Sequence, residues 1–190
     1  MAAVDLGVER DRRPSTLGVG TVTFLASELM FFSGLFAAWF SLRSANDEWP
    51  PDGVELAVLQ TAAATAVLIG SSFTVHRAHR AADAGDRAGT VRWLLVTVLL
   101  GALFLTNQAV EYATVDFTMS SHAYGSMFFL MTGFHGLHVL AGIGAMLVVS
   151  WVVSGRSRAS LDQVVMVTSY YWHFVDVVWV AMFATIYLLS

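Results

Sequence analysis

The sequence predicts an all-α fold, a polytopic integral membrane helical bundle of five transmembrane helices with its N-terminus inside and its C-terminus outside. Three observations carry this expectation. Of 190 residues, 56% are hydrophobic and only 13% charged, where soluble domains average roughly 45–50% and about 25%; mean hydropathy is +0.65. Five stretches are long and apolar enough to cross a hydrocarbon core of roughly 30 Å at about 1.5 Å per helical residue. Finally, nine of the ten arginines fall in the N-terminal tail and in alternate loops, the pattern that marks cytoplasmic ends.

The elements follow in order. Residues 1–15 carry Asp5, Glu9, Arg10, Asp11, Arg12 and Arg13. They lack the apolar core and cleavage site of a signal peptide, so the tail is expected to be cytoplasmic and the first apolar run a mature span. Spans are expected at about 16–43, 54–76, 91–113, 123–154 and 163–189, joined by short linkers into a single membrane domain over 1–190. The inner loops hold Arg77, Arg80, Arg87, Arg92, Arg156 and Arg158; the outer side holds Arg43 against Asp47, Glu48, Asp52, Glu55 and Asp116. That acidic outer face would suit a basic extracytoplasmic partner, although a merely solvated loop is the preferred reading. Trp49, before Pro50 and Pro51, reads as an interfacial aromatic in an extended turn.

Composition also excludes functions. A net charge of −4 offers no basic surface for nucleic acid. The absence of cysteine removes disulfides, thiolate metal sites, iron–sulfur clusters and cysteine nucleophiles. Neither a Gly-x-Ser-x-Gly elbow nor a phosphate loop is present. Because lipid gives helices no hydrophobic reason to associate, small-residue stripes are expected to mark contacts: Ala62, Ala66 and Gly70 on the second helix, Ser33, Ala37 and Ser41 on the first, and Gly133, Gly136, Gly142 and Gly144 on the fourth.

Polar residues inside the spans are expensive and need a partner or a purpose. Glu28 sits mid-span in Ala-Ser-Glu-Leu-Met-Phe-Phe; it is either a protonated carboxyl bonded to a neighbouring helix or a proton-exchanging or lipid-headgroup site. Glu111 lies near the outer end of the third span, three residues after Gln108 on the same face. His135 and His138 form His-x-x-His on the fourth helix, whereas zinc helices place two histidines at i and i+4 with a Glu between. With His173 they are the histidines inside the spans, so a single bis-His haem or metal site is arithmetically open. His173 and Asp176, at i and i+3, form a structural polar pair that could bond each other or an adjacent helix, with a proton relay or oriented ligand as the alternative.

At these residues the sequence resembles subunit III of the haem–copper respiratory oxidases. The strings are Phe24-Leu-Ala-Ser-Glu28-Leu-Met-Phe-Phe32, Asn107-Gln-Ala-Val-Glu111-Tyr112, Phe117-Thr-Met-Ser120 with Tyr124 to Val139, Tyr171-Trp-His-Phe-Val-Asp-Val-Val-Trp179, and His76 with Gly85-Asp-Arg87. Together they cover about Thr21 to Leu188. The resemblance implies a non-redox accessory subunit of a cytochrome c oxidase, a proton-pumping enzyme of the bacterial cell membrane. Such a subunit packs on subunit I beside subunit II and other oxidase subunits, binds structural phospholipid, cardiolipin being one candidate, and supports proton uptake and enzyme durability. It implies no catalytic or metal residue in this chain, haem and copper being held by partner subunits, and it makes Glu28, Glu111, His135 and His138 the proton-exchange or lipid-contact candidates. The matching subunit of a quinol oxidase carries the same motifs. A free-standing membrane haem or metal protein using His135, His138 and His173 is the reading from another class. Many family members have seven helices, two of them set apart by a lipid-filled cleft, whereas this chain has five. The all-arginine basic set suggests an actinobacterial source, where the oxidase can join a cytochrome bc complex in a supercomplex.

Overall fold

The computed structural model describes residues 16–155 and 161–189. The expected tail, residues 1–15, lies outside them, as do Arg156 and Arg158. Among the described residues there are five long helices and no strand: α1 (Thr16–Ser44), α2 (Val58–Asp83), α3 (Arg87–Thr114), α4 (Ala123–Ser154) and α5 (Leu161–Phe183), the last continuing into a π-helical turn at Ala184–Leu188. All five are long and apolar enough to cross a membrane.

The boundaries differ from the hydropathy limits where capping and helix propensity act beyond the apolar run. The second helix begins at Val58, not at 54, because Pro50, Pro51 and Gly53, the last with φ +84°, hold the preceding chain in a loop. It continues seven residues past 76, through His76 and His79 to Asp83, over Arg and Ala residues that favour helix. The third starts at Arg87, not at 91, because Asp86 caps it, its carboxylate accepting from the Gly89 amide at 2.9 Å. Gly85, at φ +71°, makes the turn between the two helices. The fourth is capped by His122, whose Nδ1 accepts from the Gly125 amide at 2.8 Å.

Helices α2, α3, α4 and α5 pack in a closed ring, each against the next, and α1 lies outside the ring against α4 and α5. The inward face of α2 is Thr61, Ala64, Thr65, Leu68, Ser71, Val75 and Ala78; that of α3 is Thr90, Leu94, Thr97, Gly101, Phe104, Gln108 and Glu111. Both keep the three- and four-residue spacing of a helix face, but they are rich in hydroxyl and small residues while Leu59, Phe73, Leu99 and Leu103 point outward. Lipid tolerates large aliphatics outside; the interior gains from short side chains that bring backbones close and bond across helices.

The expected stripes on the first and second helices therefore do not mark the close contacts, whereas on the fourth Gly133, Gly136 and Gly142 face neighbouring side chains. Ala66, Ser33, Ala37 and Ser41 are exposed, and a Cβ at Gly70 or Gly144 would meet open space. Close packing is concentrated instead around Trp172 of α5, fully buried between Gly101 of α3 and Gly142 of α4, where an added Cβ would come within 2.7 and 2.8 Å of the indole. The bulky ring selects which glycines matter. Trp49 likewise does more than anchor an interface, packing edge-on against Trp39 at 5.0 Å and lying 5.2 Å from Tyr124. At the opposite end, Arg77 sits over the Trp93 ring at 4.9 Å, joining α2 to α3.

Candidate functional site

For the mid-span polar residues singled out in the sequence, helix packing decides which find a hydrogen-bond partner, and His135 alone among them finds none. Glu28 of α1 meets His138 of α4, Oε2 to Nε2 at 2.9 Å, with both side chains largely buried. The other ring nitrogen of His138, Nδ1, lies 2.7 Å from the Phe134 carbonyl. A carbonyl only accepts, so Nδ1 carries a hydrogen. The contact with Glu28 therefore contains one further proton, on Nε2 or on the carboxyl, and the pair is electrically neutral in either arrangement. Phe31 and Phe32 flank the imidazole at 6.4 and 5.0 Å. Tyr171 of α5 donates to the His138 carbonyl at 3.0 Å, tying α4 to α5 one step from the pair.

Beside this pair, α1, α4 and α5 enclose a groove of about 710 Å³ lined by Leu17, Gly20, Phe24, Ala141, Ala145 and Tyr171 among others. Its walls are almost wholly apolar, and Phe24 stacks on Tyr171 at its edge, 6.2 Å between ring centres.

Glu111 forms a second, separate site. It is buried, 2% exposed, and accepts from three helices: Thr61 of α2 at 3.3 Å, Gln108 of α3 at 3.2 Å, and the Tyr187 hydroxyl at 2.8 Å. The wide π-helical turn carries Tyr187, and such turns recur at functional positions. Nearby, Tyr112 and Thr132 join α3 to α4 at 2.6 Å.

The His-x-x-His spacing does not act as a pair. His138 turns outward to Glu28, while His135 is buried inside the ring, stacked on Trp179 at 4.8 Å and edge-on to Phe104 at 5.8 Å, with neither nitrogen bonded to protein. His173 and Asp176 do not bond each other either. Both bond Ser72 of α2: its hydroxyl donates to Asp176 Oδ2 and lies 2.9 Å from His173 Nδ1. The three intramembrane histidines thus have three different environments, and among the described residues no group of three or more His, Asp or Glu is placed to hold a metal ion.

Several participants carry no signal in the sequence. Ser72, Ser71, Thr65 and Thr61 are ordinary hydroxyls of an apolar helix, yet Ser71 accepts from the Trp172 indole at 2.8 Å and Thr65 from the Trp179 indole at 2.9 Å. With Ser72 and the Glu111 cluster they form a ladder along the α2–α5 seam. Only the four-residue step from Thr61 to Thr65 and the seven-residue step from Thr65 to Ser72, which keep one helix face, could have drawn attention to them.

Comparison with known proteins agrees with this architecture. The sequence profile of the family described as Cytochrome c oxidase subunit III matches residues 7–190. The chain is 45% identical over 192 residues to a Nocardia farcinica protein named "Probable cytochrome c oxidase subunit 3", covering 98% of this chain and 94% of that one. It is 46% identical to a Mycobacterium tuberculosis protein of the same name, covering 97% and 94%. It is also 46% identical to the Corynebacterium diphtheriae "Cytochrome c oxidase subunit 3", covering 94% and 90%. All three sources are actinobacteria, and the chain belongs to the cytochrome c oxidase subunit III family.

Proposed function

We propose that this chain is the non-redox accessory subunit III of a bacterial cytochrome c oxidase, a proton-pumping terminal oxidase that reduces oxygen to water. In this reading it packs on subunit I beside subunit II in the cell membrane, with haem and copper held by those partners and its arginine-rich end in the cytoplasm. The oxidase in turn joins a cytochrome bc complex. The observation that carries the reading is the neutral Glu28–His138 pair beside an apolar groove. A carboxyl and an imidazole joined at 2.9 Å hold one proton between them, and it can pass from one partner to the other without changing the net charge of the pair in hydrocarbon. The groove of about 710 Å³ has the size and wall chemistry for phospholipid acyl chain, and Phe24, at its edge, belongs to the same helix as Glu28.

Glu28→Gln keeps the shape and a hydrogen-bond acceptor but cannot exchange a proton. The oxidase carrying it is expected to assemble with normal haem content and to lose turnover toward alkaline pH, where proton supply limits. Unchanged turnover from acid to alkaline pH would reduce the pair to a packing contact.

A further inference from the structure

The Ser72–His173–Asp176 cluster lies halfway along α2 and α5 and opens on the outer surface of the bundle, in a groove of about 320 Å³ whose other walls are Ile69, Val177 and Val180. Its hydrogen bonding is incomplete in one direction. Ser72 has one hydroxyl proton; donated to Asp176 Oδ2, it leaves the Ser72 oxygen to accept from His173 Nδ1–H. A neutral His173 then presents Nε2 as a lone pair. Asp176 is only 6% exposed, and its second oxygen, Oδ1, is buried with no partner. The groove therefore offers the His173 lone pair, backed by the buried Asp176 carboxyl, and asks its occupant for a donor.

An acyl chain brings none, and would leave the His173 nitrogen unbonded where no bulk water reaches. The rim is apolar: Ile69, Phe73, Val177 and Val180 are all exposed, Phe73 and Val177 at 70% and 68%. α1 does not serve as the cover, since it packs against α4 and α5. A mid-membrane polar notch with a ring of protruding aliphatics matches the way membrane helices associate, by packing around a few interhelical hydrogen bonds.

Building on the accessory-subunit reading, we infer that this notch seats a transmembrane helix of another oxidase subunit, one that presents a hydrogen-bond donor at mid-membrane depth. The face formed by α2 and α5 is thus a docking surface, opposite in chemistry to the apolar groove at α1.

The test uses the intact oxidase, extracted in mild detergent from cells in which position 177 carries photoreactive p-benzoylphenylalanine. Irradiation is expected to link this chain to a second oxidase subunit, identified by mass spectrometry. If a complex with normal haem content yields only lipid adducts or unlinked chain, the docking surface is wrong while the accessory-subunit reading stands; absence of any haem-bearing partner would overturn both. In parallel, Asp176→Leu fills the volume without an acceptor and Asp176→Asn keeps one. Retention of the chain through detergent washing is expected to fall roughly tenfold for Leu, the effect of losing about 1.4 kcal/mol, and to be rescued by Asn. Equal retention of Leu and wild type would overturn the inference. Should the Leu variant fail to accumulate, the crosslink from position 177 decides alone.

Discussion

Glu111 shows how a buried carboxyl becomes part of a scaffold. Thr61, Gln108 and Tyr187 all donate to it, so removing the carboxyl strands donors, whereas removing one donor strands little. A buried donor left without a partner costs about 1–3 kcal/mol, and a single neutral bond contributes about 1 kcal/mol net. Glu111→Ala is therefore expected to destabilise by at least one such orphan penalty and Tyr187→Phe by about 1 kcal/mol. Unfolding in mixed detergent and SDS, followed by tryptophan fluorescence, checks the order; a larger loss for Tyr187→Phe would contradict it. The sequence placed Glu111 and Gln108 on one face, but Tyr187 lies 76 residues away, and only the wide turn at the end of α5 brings its hydroxyl across.

At the scale of the helix, Trp172 decides which glycines are indispensable. Gly142 faces its ring and Gly144, two residues on, faces open space. Gly142→Ala is expected to cost about 1–3 kcal/mol, as overpacking of a tight contact does. Gly144→Ala should be neutral or slightly stabilising, since Ala outranks Gly in helix propensity. Thermal denaturation of the two variants separates the cases, and equal melting temperatures would show that α5 can shift away from α4. Composition alone treats all five glycines of α4 as equivalent, because the partner that discriminates among them comes from a different helix. The inward stripe of α2 was hidden for the same reason: Thr61, Thr65 and Ser71 bond carboxyl or indole groups, and no pattern within α2 announces those partners.

For the whole molecule, the proposed orientation has a direct check that its lack of cysteine makes free of background. Asp52→Cys, in the loop before α2, and Asp83→Cys, at the end of α2, lie at opposite ends of that helix. A membrane-impermeant maleimide is expected to label position 52 in right-side-out vesicles and position 83 only in inverted ones. The reverse pattern would place the arginine-rich end outside. The answer bears on function, because it sets which side of the membrane the groove at the N-terminal half of α1 faces, and hence from which side the Glu28–His138 pair is approached.

The sequence by itself determined that five stretches are long and apolar enough to cross a membrane, which loops are basic, and which ionisable residues lie within those stretches. These are properties of single segments, set by length, hydropathy and the cost of charge in hydrocarbon. The family was also legible, since its motifs are contiguous strings. Tertiary structure alone decided that Glu28 pairs with His138 and not with a neighbour on its own helix, that His135 and His138 diverge, and that Ser72 stands between His173 and Asp176. Those pairings depend on the rotation of each helix about its axis. In a lipid-solvated chain, hydrophobicity says little about that rotation, because the outside is as apolar as the core; a few buried indoles, hydroxyls and carboxyls set it instead.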